Sequence, residues 1–303
     1  MLDVAHPDEI AHFARQTPCI LVTIEEAKGS TPRIAGTTML VSAQGVLGTI
    51  GGGQLEYMAI DAARQMIAGQ HNADPQERRL TVPLGPEIGQ CCGGNVILLL
   101  SKVKPDDVAA LASSVKTAKK TQPSVYVFGA GHVGRALAQA LVPLPVNGLL
   151  VDSREDELAL AGSAIDQDLT PLPETHIRAA APGSAFIMLT HDHALDFLLT
   201  QEALNRNDAA YVGMIGSKTK RATFTRWLEN ETGHRDGLDQ LTMPIGASTL
   251  KDKRPAVIAA MVAAEVIEAV GVYDGAQGKN VSVEKGAEDE VAGTRNNTPQ
   301  VPA

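Results

Sequence analysis

The chain has 303 residues, a formal net charge of −9, 44% hydrophobic and 20% charged residues. That length predicts about two domains with ordinary cores. The acidic balance, with aromatics at 3%, argues against a nucleic-acid surface, which needs basic patches interleaved with stacking rings.

Three cysteines, two of them adjacent, cannot build a disulfide framework. The first residues lack the basic and apolar segments of a signal peptide, and no run reads as a membrane span. These features predict a cytoplasmic protein with reduced thiols and no nucleic-acid or membrane partner.

In chain order, residues 8–16 have the pattern of a short amphipathic helix, and Cys19–Glu25 reads as a strand. Lys28-Gly-Ser-Thr-Pro-Arg33 is a polar loop with two cations and two hydroxyls, suited to an anionic group or equally to a solvated turn. Thr38–Ser42 and Val46–Ile50 form a hairpin around Ala43-Gln-Gly45. The second strand enters Gly51-Gly-Gly-Gln-Leu-Glu56 and a helix over 55–68. There Gly52, Gln54 and Glu56 stand where a ligand could approach the backbone; the plainer alternative has Glu56 complementing the helix dipole.

Residues 79–82 and 96–100 read as strands. Between them, Cys91 and Cys92 lie on a glycine-rich loop. Neighbouring side chains diverge, so one thiolate could face a pocket while the other packs, or both could be small buried fillers. The CxxC spacing of a structural zinc site is missing. Residues 105–118 form an Ala-rich helix pattern.

Val125–Phe128 reads as a buried strand that flows into Gly129-x-Gly131-x-x-Gly134, then into a helix from His132. Strand, glycine turn and helix are the parts of a phosphate-cradling corner, or of a glycine-tight turn that binds nothing. One glycine permits the turn, one lets a phosphate approach, and one seats the helix. A second strand, 148–151, ends about twenty residues on in Asp152, placed for a ribose hydroxyl.

Strand–helix alternation continues through 184–190, 194–205, 209–215 and a helix reaching about 230, predicting a parallel sheet with right-handed crossovers. Ligands of such sheets sit at the strand C-terminal ends. Each conspicuous loop falls there: Gly129, Gly131, His132 and Gly134; Asp152 and Arg154; His191, Asp192 and His193; Ser217, Lys218 and Arg221. The two histidines suit a metal or a proton relay, or Asp192 is simply a helix cap. Lys218 and Arg221 suit a phosphate, or the turn is merely solvated and basic. A strongly apolar helix over 256–270 is expected to pack on the sheet with Glu265 and Glu268 outward.

The predicted architecture is α/β: a Rossmann-like parallel-sheet domain at 124–272, preceded by a smaller strand-rich α+β domain at 1–118. A linker at 119–123 joins them, and a disordered tail is expected over 273–303.

Glu26-Ala-Lys-Gly-Ser-Thr-Pro-Arg33, Gly51-Gly-Gly-Gln-Leu-Glu56 and Gln90-Cys-Cys-Gly-Gly94 resemble the N-terminal domain of the XdhC-type xanthine dehydrogenase accessory proteins. Phe128-Gly-Ala-Gly-His-Val-Gly134, Val151-Asp-Ser-Arg154, Thr190-His-Asp-His193 and Tyr211-Val-Gly-Met-Ile-Gly-Ser217 resemble their Rossmann domain.

The resemblance implies a chaperone, not an enzyme. It would bind molybdenum cofactor in the molybdopterin form and protect it. It would meet a cysteine desulfurase and the molybdenum insertion machinery, and deliver its cargo to the molybdenum-binding subunit of xanthine dehydrogenase. With it, the phosphate is expected at Gly129–Gly134 helped by Lys218 and Arg221, and the pterin at Asp152, Gln54 or Glu56. The metal is expected at Cys91 or Cys92, since soft thiolates suit such a centre. A homodimer is the default assembly. After Pro244-Ile-Gly246 the chain departs from the family's Gly-rich Thr-Pro-Glu helix start. The competing reading is an NAD-dependent oxidoreductase, with Asp152 on the ribose and His191 or His193 as acid/base.

Overall fold

The computed structural model describes residues 7–16, 18–69, 76–85, 93–247 and 252–293, with side chains of the last helix described as far as Asp274. The chain divides into two compact units, Met1–Thr121 and Gln122–Ala303.

In the first unit, β1 (Cys19–Lys28), β2 (Thr38–Ser42), β3 (Val46–Gly48), β4 (Glu77–Pro83) and β5 (Asn95–Lys102) form one antiparallel sheet in the order β3-β2-β1-β5-β4. Period-two alternation sorts its side chains. Ile20, Val22, Ile24, Met39, Val41, Val96, Leu98 and Leu100 point to one face. There α2 (Gly53–Ile67) covers them with Leu55, Ala59, Ala62, Ala63 and Met66. The intervening Leu21 and Leu40 point to the other face, under α1 (Pro7–Gln16) and α3 (Pro105–Lys120), with Ile10 and Val115. Helix α3 continues through Lys119 and Lys120, where the sequence reading placed a linker, because lysine is a good helix former and complements the helix C-terminus.

The second unit is a wholly parallel sheet of β6 (Ser124–Phe128), β7 (Asn147–Asp152), β8 (Asp166–Leu169), β9 (Ala185–Met188), β10 (Tyr211–Met214) and β11 (Leu241–Thr242). Its order, β11-β10-β9-β6-β7-β8, is that of the doubly wound dinucleotide-binding fold, with the topological switch between β6 and β9. Helix α4 (His132–Leu141) and α9 (Pro255–Gly293) bury Leu137, Ala138, Ala259, Val262 and Val266 on one face. Short α5 (Glu155–Ala159) adds Leu158 to that layer. On the other face, α6 (Glu174–Ala179), α7 (His193–Asn205) and α8 (Lys218–Thr232) bury Ile177, Phe197, Phe224 and Leu228 against Phe128, Phe186 and Met214.

Helix α9 runs to Gly293, and no proline interrupts 274–293. One expectation for it is corrected. Its Pro255–Asp274 part is long and apolar enough, by length and composition, to cross a membrane. In the fold, its Ala259, Val262, Ala263, Val266 and Val270 are buried in the layer shared with α4.

Candidate functional site

The glycine corner has the geometry its spacing predicts. Gly129 sits at φ +113, and a Cβ there would lie 2.4 Å from the Leu189 carbonyl oxygen. A Cβ at Gly134 would lie 1.8 Å from the Gly129 carbonyl oxygen, so helix and turn touch backbone to backbone. Gly131 is different: nothing stands within 4 Å of its Cβ position. It precedes α4, whose first-turn N–H groups have no intrahelical acceptor. The His132 side chain is exposed beside them.

Asp152, at the end of β7, is held rather than held out. Its Oδ2 accepts from the Ala130 N–H at 2.6 Å and from Arg154 Nη2 at 2.8 Å. Its Oδ1 accepts from the Arg154 N–H and from Arg154 Nε, both at 3.0 Å. Burial pushes this carboxyl up, but the Arg154 side chain and the two backbone N–H groups outweigh it, and its pKa falls below the ordinary value. The acid therefore ties the glycine turn to the next strand.

At the end of β9, His191 and His193 are exposed, and Asp192 caps α7 by accepting from the Ala194 N–H at 2.8 Å. The cap explains this motif's spacing. No group of three or more His, Cys, Asp or Glu among the described residues is placed to hold a metal.

Beneath the histidines lies a network the sequence reading missed. Asp196 is fully buried. Its Oδ1 accepts from the Thr190 N–H at 2.9 Å and the Thr190 hydroxyl at 2.8 Å, and its Oδ2 from Lys220 Nζ at 2.6 Å. Lys220 also donates to the Ile215 carbonyl at 3.1 Å. The only clue in the sequence was an acid three residues inside a helix start, which normally reads as a dipole partner.

Ser217 caps α8 by accepting from the Lys220 N–H at 3.2 Å, and Lys218 is exposed at the first turn. Arg221 does not join them. Its guanidinium donates to the carbonyls of Leu238, Leu241 and Met243 and braces the β11 region. Glu265 is likewise turned inward, against expectation, while Glu268 is exposed as expected. Glu265 accepts from the Tyr211 hydroxyl at 2.7 Å and the Gly246 N–H at 3.1 Å. Burial first, then the Glu265 carboxylate, drives the Tyr211 hydroxyl far above its ordinary pKa.

In the N-terminal unit three separated motifs converge. Gly51, Gly52 and Gly53 all have positive φ, a path closed to ordinary side chains. A Cβ at Gly51 would strike the Pro32 ring at 2.7 Å, and one at Gly94 would lie 2.3 Å from the Ser30 carbonyl oxygen. Ser30 also bridges to Gly93. The Lys28–Arg33 loop thus packs against both glycine motifs. Glu56 Oε2 fastens the triple-glycine turn, accepting from the Thr49 hydroxyl at 2.6 Å and the N–H groups of Ile50 and Gly52 at 3.2 and 3.1 Å. Gln54 is exposed, and the Cβ position of Gly52 opens on space. Cys91 and Cys92 lie outside the described residues; the described chain resumes at Gly93.

A doubly wound α/β domain with a phosphate-type glycine corner, joined to a five-stranded antiparallel α+β domain, is the class these observations define. Comparison with known proteins resolves it further. The family model of the XdhC Rossmann domain matches residues 125–266, and that of the XdhC and CoxI family matches residues 12–78. The chain belongs to the XdhC family.

It is similar to the uncharacterized protein YqeB of Escherichia coli (strain K12), 26% identical over an alignment of 273 positions that covers 83% of this chain and 43% of the relative. The chain therefore spans less than half the length of that relative. It also resembles a crystal structure described as a xanthine dehydrogenase from Bacillus halodurans. That match has a TM-score of 0.70 and 17% identity, covering 90% of this chain and 96% of the other, a likeness of fold.

Proposed function

We propose that this protein serves xanthine dehydrogenase maturation as a carrier of molybdenum cofactor in its molybdopterin form, an accessory protein rather than an enzyme. Membership of the XdhC family is the observation that carries the reading. The open glycine corner supports it. Molybdopterin is an anionic phosphate monoester, and the α4 N-terminus offers unpaired N–H groups, a positive dipole end and, at Gly131, room for the phosphate to reach the backbone. Ser217 and Lys218, after β10, which is separated from β6 by β9, add a hydroxyl and a cation to the same edge of the sheet.

Taken by itself, the N-terminal unit has a positive-φ turn at Gly51–Gly53, with Gln54 exposed beside it, where backbone is open to a polar ligand. One of the two thiolates, Cys91 or Cys92, is the proposed contact for molybdenum, a centre that favours soft sulfur donors.

In this reading the chain binds the cargo, shields it from water and oxidant, and presents it to a cysteine desulfurase for sulfuration. It then delivers it to the molybdenum-binding subunit of apo xanthine dehydrogenase, acting as a cytoplasmic homodimer alongside the molybdenum insertion machinery. The test is co-elution of molybdopterin cofactor with the purified chain under anaerobic gel filtration. The reading expects stoichiometric retention that drops in Cys91→Ala or Cys92→Ala. Retention unchanged in both variants contradicts the thiolate role, and no retention by the parent chain contradicts the carrier role.

A further inference from the structure

We infer that Arg154 closes the ribose subsite of the Rossmann corner. The corner then admits a ligand that ends in a phosphate and turns away one that continues into a nucleoside. In dinucleotide-binding domains the acid at the end of the second strand accepts hydrogen bonds from a ribose diol. Asp152 occupies that position, and an ionised carboxylate offers about four acceptor sites. All four are filled here. The N–H groups of Ala130 and Arg154 take one on each oxygen, and Arg154 Nε and Nη2 take the other two at 3.0 and 2.8 Å.

The guanidinium edge thus presents two donors to the two carboxylate oxygens, as the two hydroxyls of a ribose would. A neutral diol would have to displace a charge-assisted, two-pronged pair that forms within three residues of chain and needs no rearrangement. The guanidinium is steadied on its other side as well, with Nη1 3.8 Å from Glu157, which also pairs with Arg135. The phosphate cradle at Gly131 is untouched by this closure, since nothing stands within 4 Å of its Cβ position. The inference rests on the carrier reading only in naming the admitted ligand as the phosphate-terminated form of the pterin; closure itself is a property of Asp152 and Arg154.

The experiment titrates NADH, by its fluorescence, into the full-length parent protein and into Arg154→Ala and Arg154→Met, with thermal melting to confirm that each is folded. Removing the guanidinium leaves Asp152 with its two backbone donors and frees the two acceptor sites that a diol needs. The expected result is at least a tenfold tighter NADH dissociation constant in the variants, lost again in Arg154→Ala/Asp152→Asn. Inorganic phosphate, followed by the amide NMR shifts of Gly131, His132 and Val133, should bind the parent and both single variants alike.

Parent binding of NADH as tight as that of the variants, or no gain in either folded variant, overturns the inference. So does loss of phosphate binding in the variants, which would make Arg154 an anion ligand instead. Failure of molybdopterin retention would count against the carrier reading alone, because the NADH ratio is read without any pterin.

Discussion

The ammonium of Lys220, near the start of α8, lies 2.6 Å from the fully buried carboxylate of Asp196 in α7. Through it, helices that follow different strands are clamped together under the ligand edge of the sheet, and Thr190 and Ile215, at the ends of β9 and β10, are fastened to the same pair. Breaking one partner of a buried pair leaves the other charged and unmatched, at a cost of about 3 kcal/mol or more. Lys220→Met should therefore destabilise the protein by roughly that amount in urea unfolding. Asp196→Asn/Lys220→Met should cost less than the sum of the single changes, by about 1 kcal/mol or more. Strict additivity would show that the pair does not act as a unit.

The glycines of the corner should separate by role. Gly134→Ala drives a methyl group into the Gly129 carbonyl and should cost on the order of 3 kcal/mol. Gly131→Ala meets open space at φ −65, so it should cost no more than about 1 kcal/mol while blocking the approach of a phosphate. Thermal melts paired with phosphate titration check both. Equal destabilisation by the two substitutions would contradict the assignment.

Asp152 makes stability depend on acid. A carboxyl whose folded pKa lies below its unfolded value stabilises the fold above the unfolded value, and loses that contribution as pH falls through the folded one. The ordinary value is 3.8, and the Asp152 carboxyl lies below it in the fold. The stability difference between the parent and Asp152→Asn should therefore be constant near neutrality and shrink on acidification from about pH 5 downward. Urea midpoints measured across that range give the answer, and a difference that grows with acid would refute it.

Glu56 is predicted to hold the triple-glycine turn rather than to meet a ligand through its Oε2. Glu56→Ala removes three hydrogen bonds to one oxygen. It should cost about 1–3 kcal/mol and speed amide exchange at Ile50 and Gly52. Glu56→Gln keeps an acceptor oxygen and should fall between. Unchanged exchange at those amides in Glu56→Ala would remove its anchoring role.

What was legible in the sequence followed from strong local rules. The Gly129–Gly134 corner, the alternation in β1 and β5 and the buried run of β9 each satisfy one rule that tertiary contacts do not override. Edge strand β8, Asp-Gln-Asp-Leu, carries no apolar pattern because three of its four residues are exposed, so sequence periodicity could not find it. The side-chain roles were harder. Asp152, Glu56 and Arg221 stand in loops that suit ligand contacts, and each also bonds to its own protein. Whether a polar side chain turns outward to a ligand or inward to a backbone depends on neighbours far along the chain. Glu265 shows the same limit, since its partners Tyr211 and Gly246 come from β10 and from the loop after β11.

The most direct test of the central claim is transfer. The anaerobically isolated chain, loaded with sulfurated molybdopterin cofactor, would be mixed with cofactor-free xanthine dehydrogenase while xanthine oxidation is followed. The carrier account predicts that activity appears in proportion to loaded chain, persists when a scavenger for free cofactor is present, and falls sharply with Gly131→Ala. Activation that the scavenger abolishes, or that proceeds equally well without the chain, would contradict it.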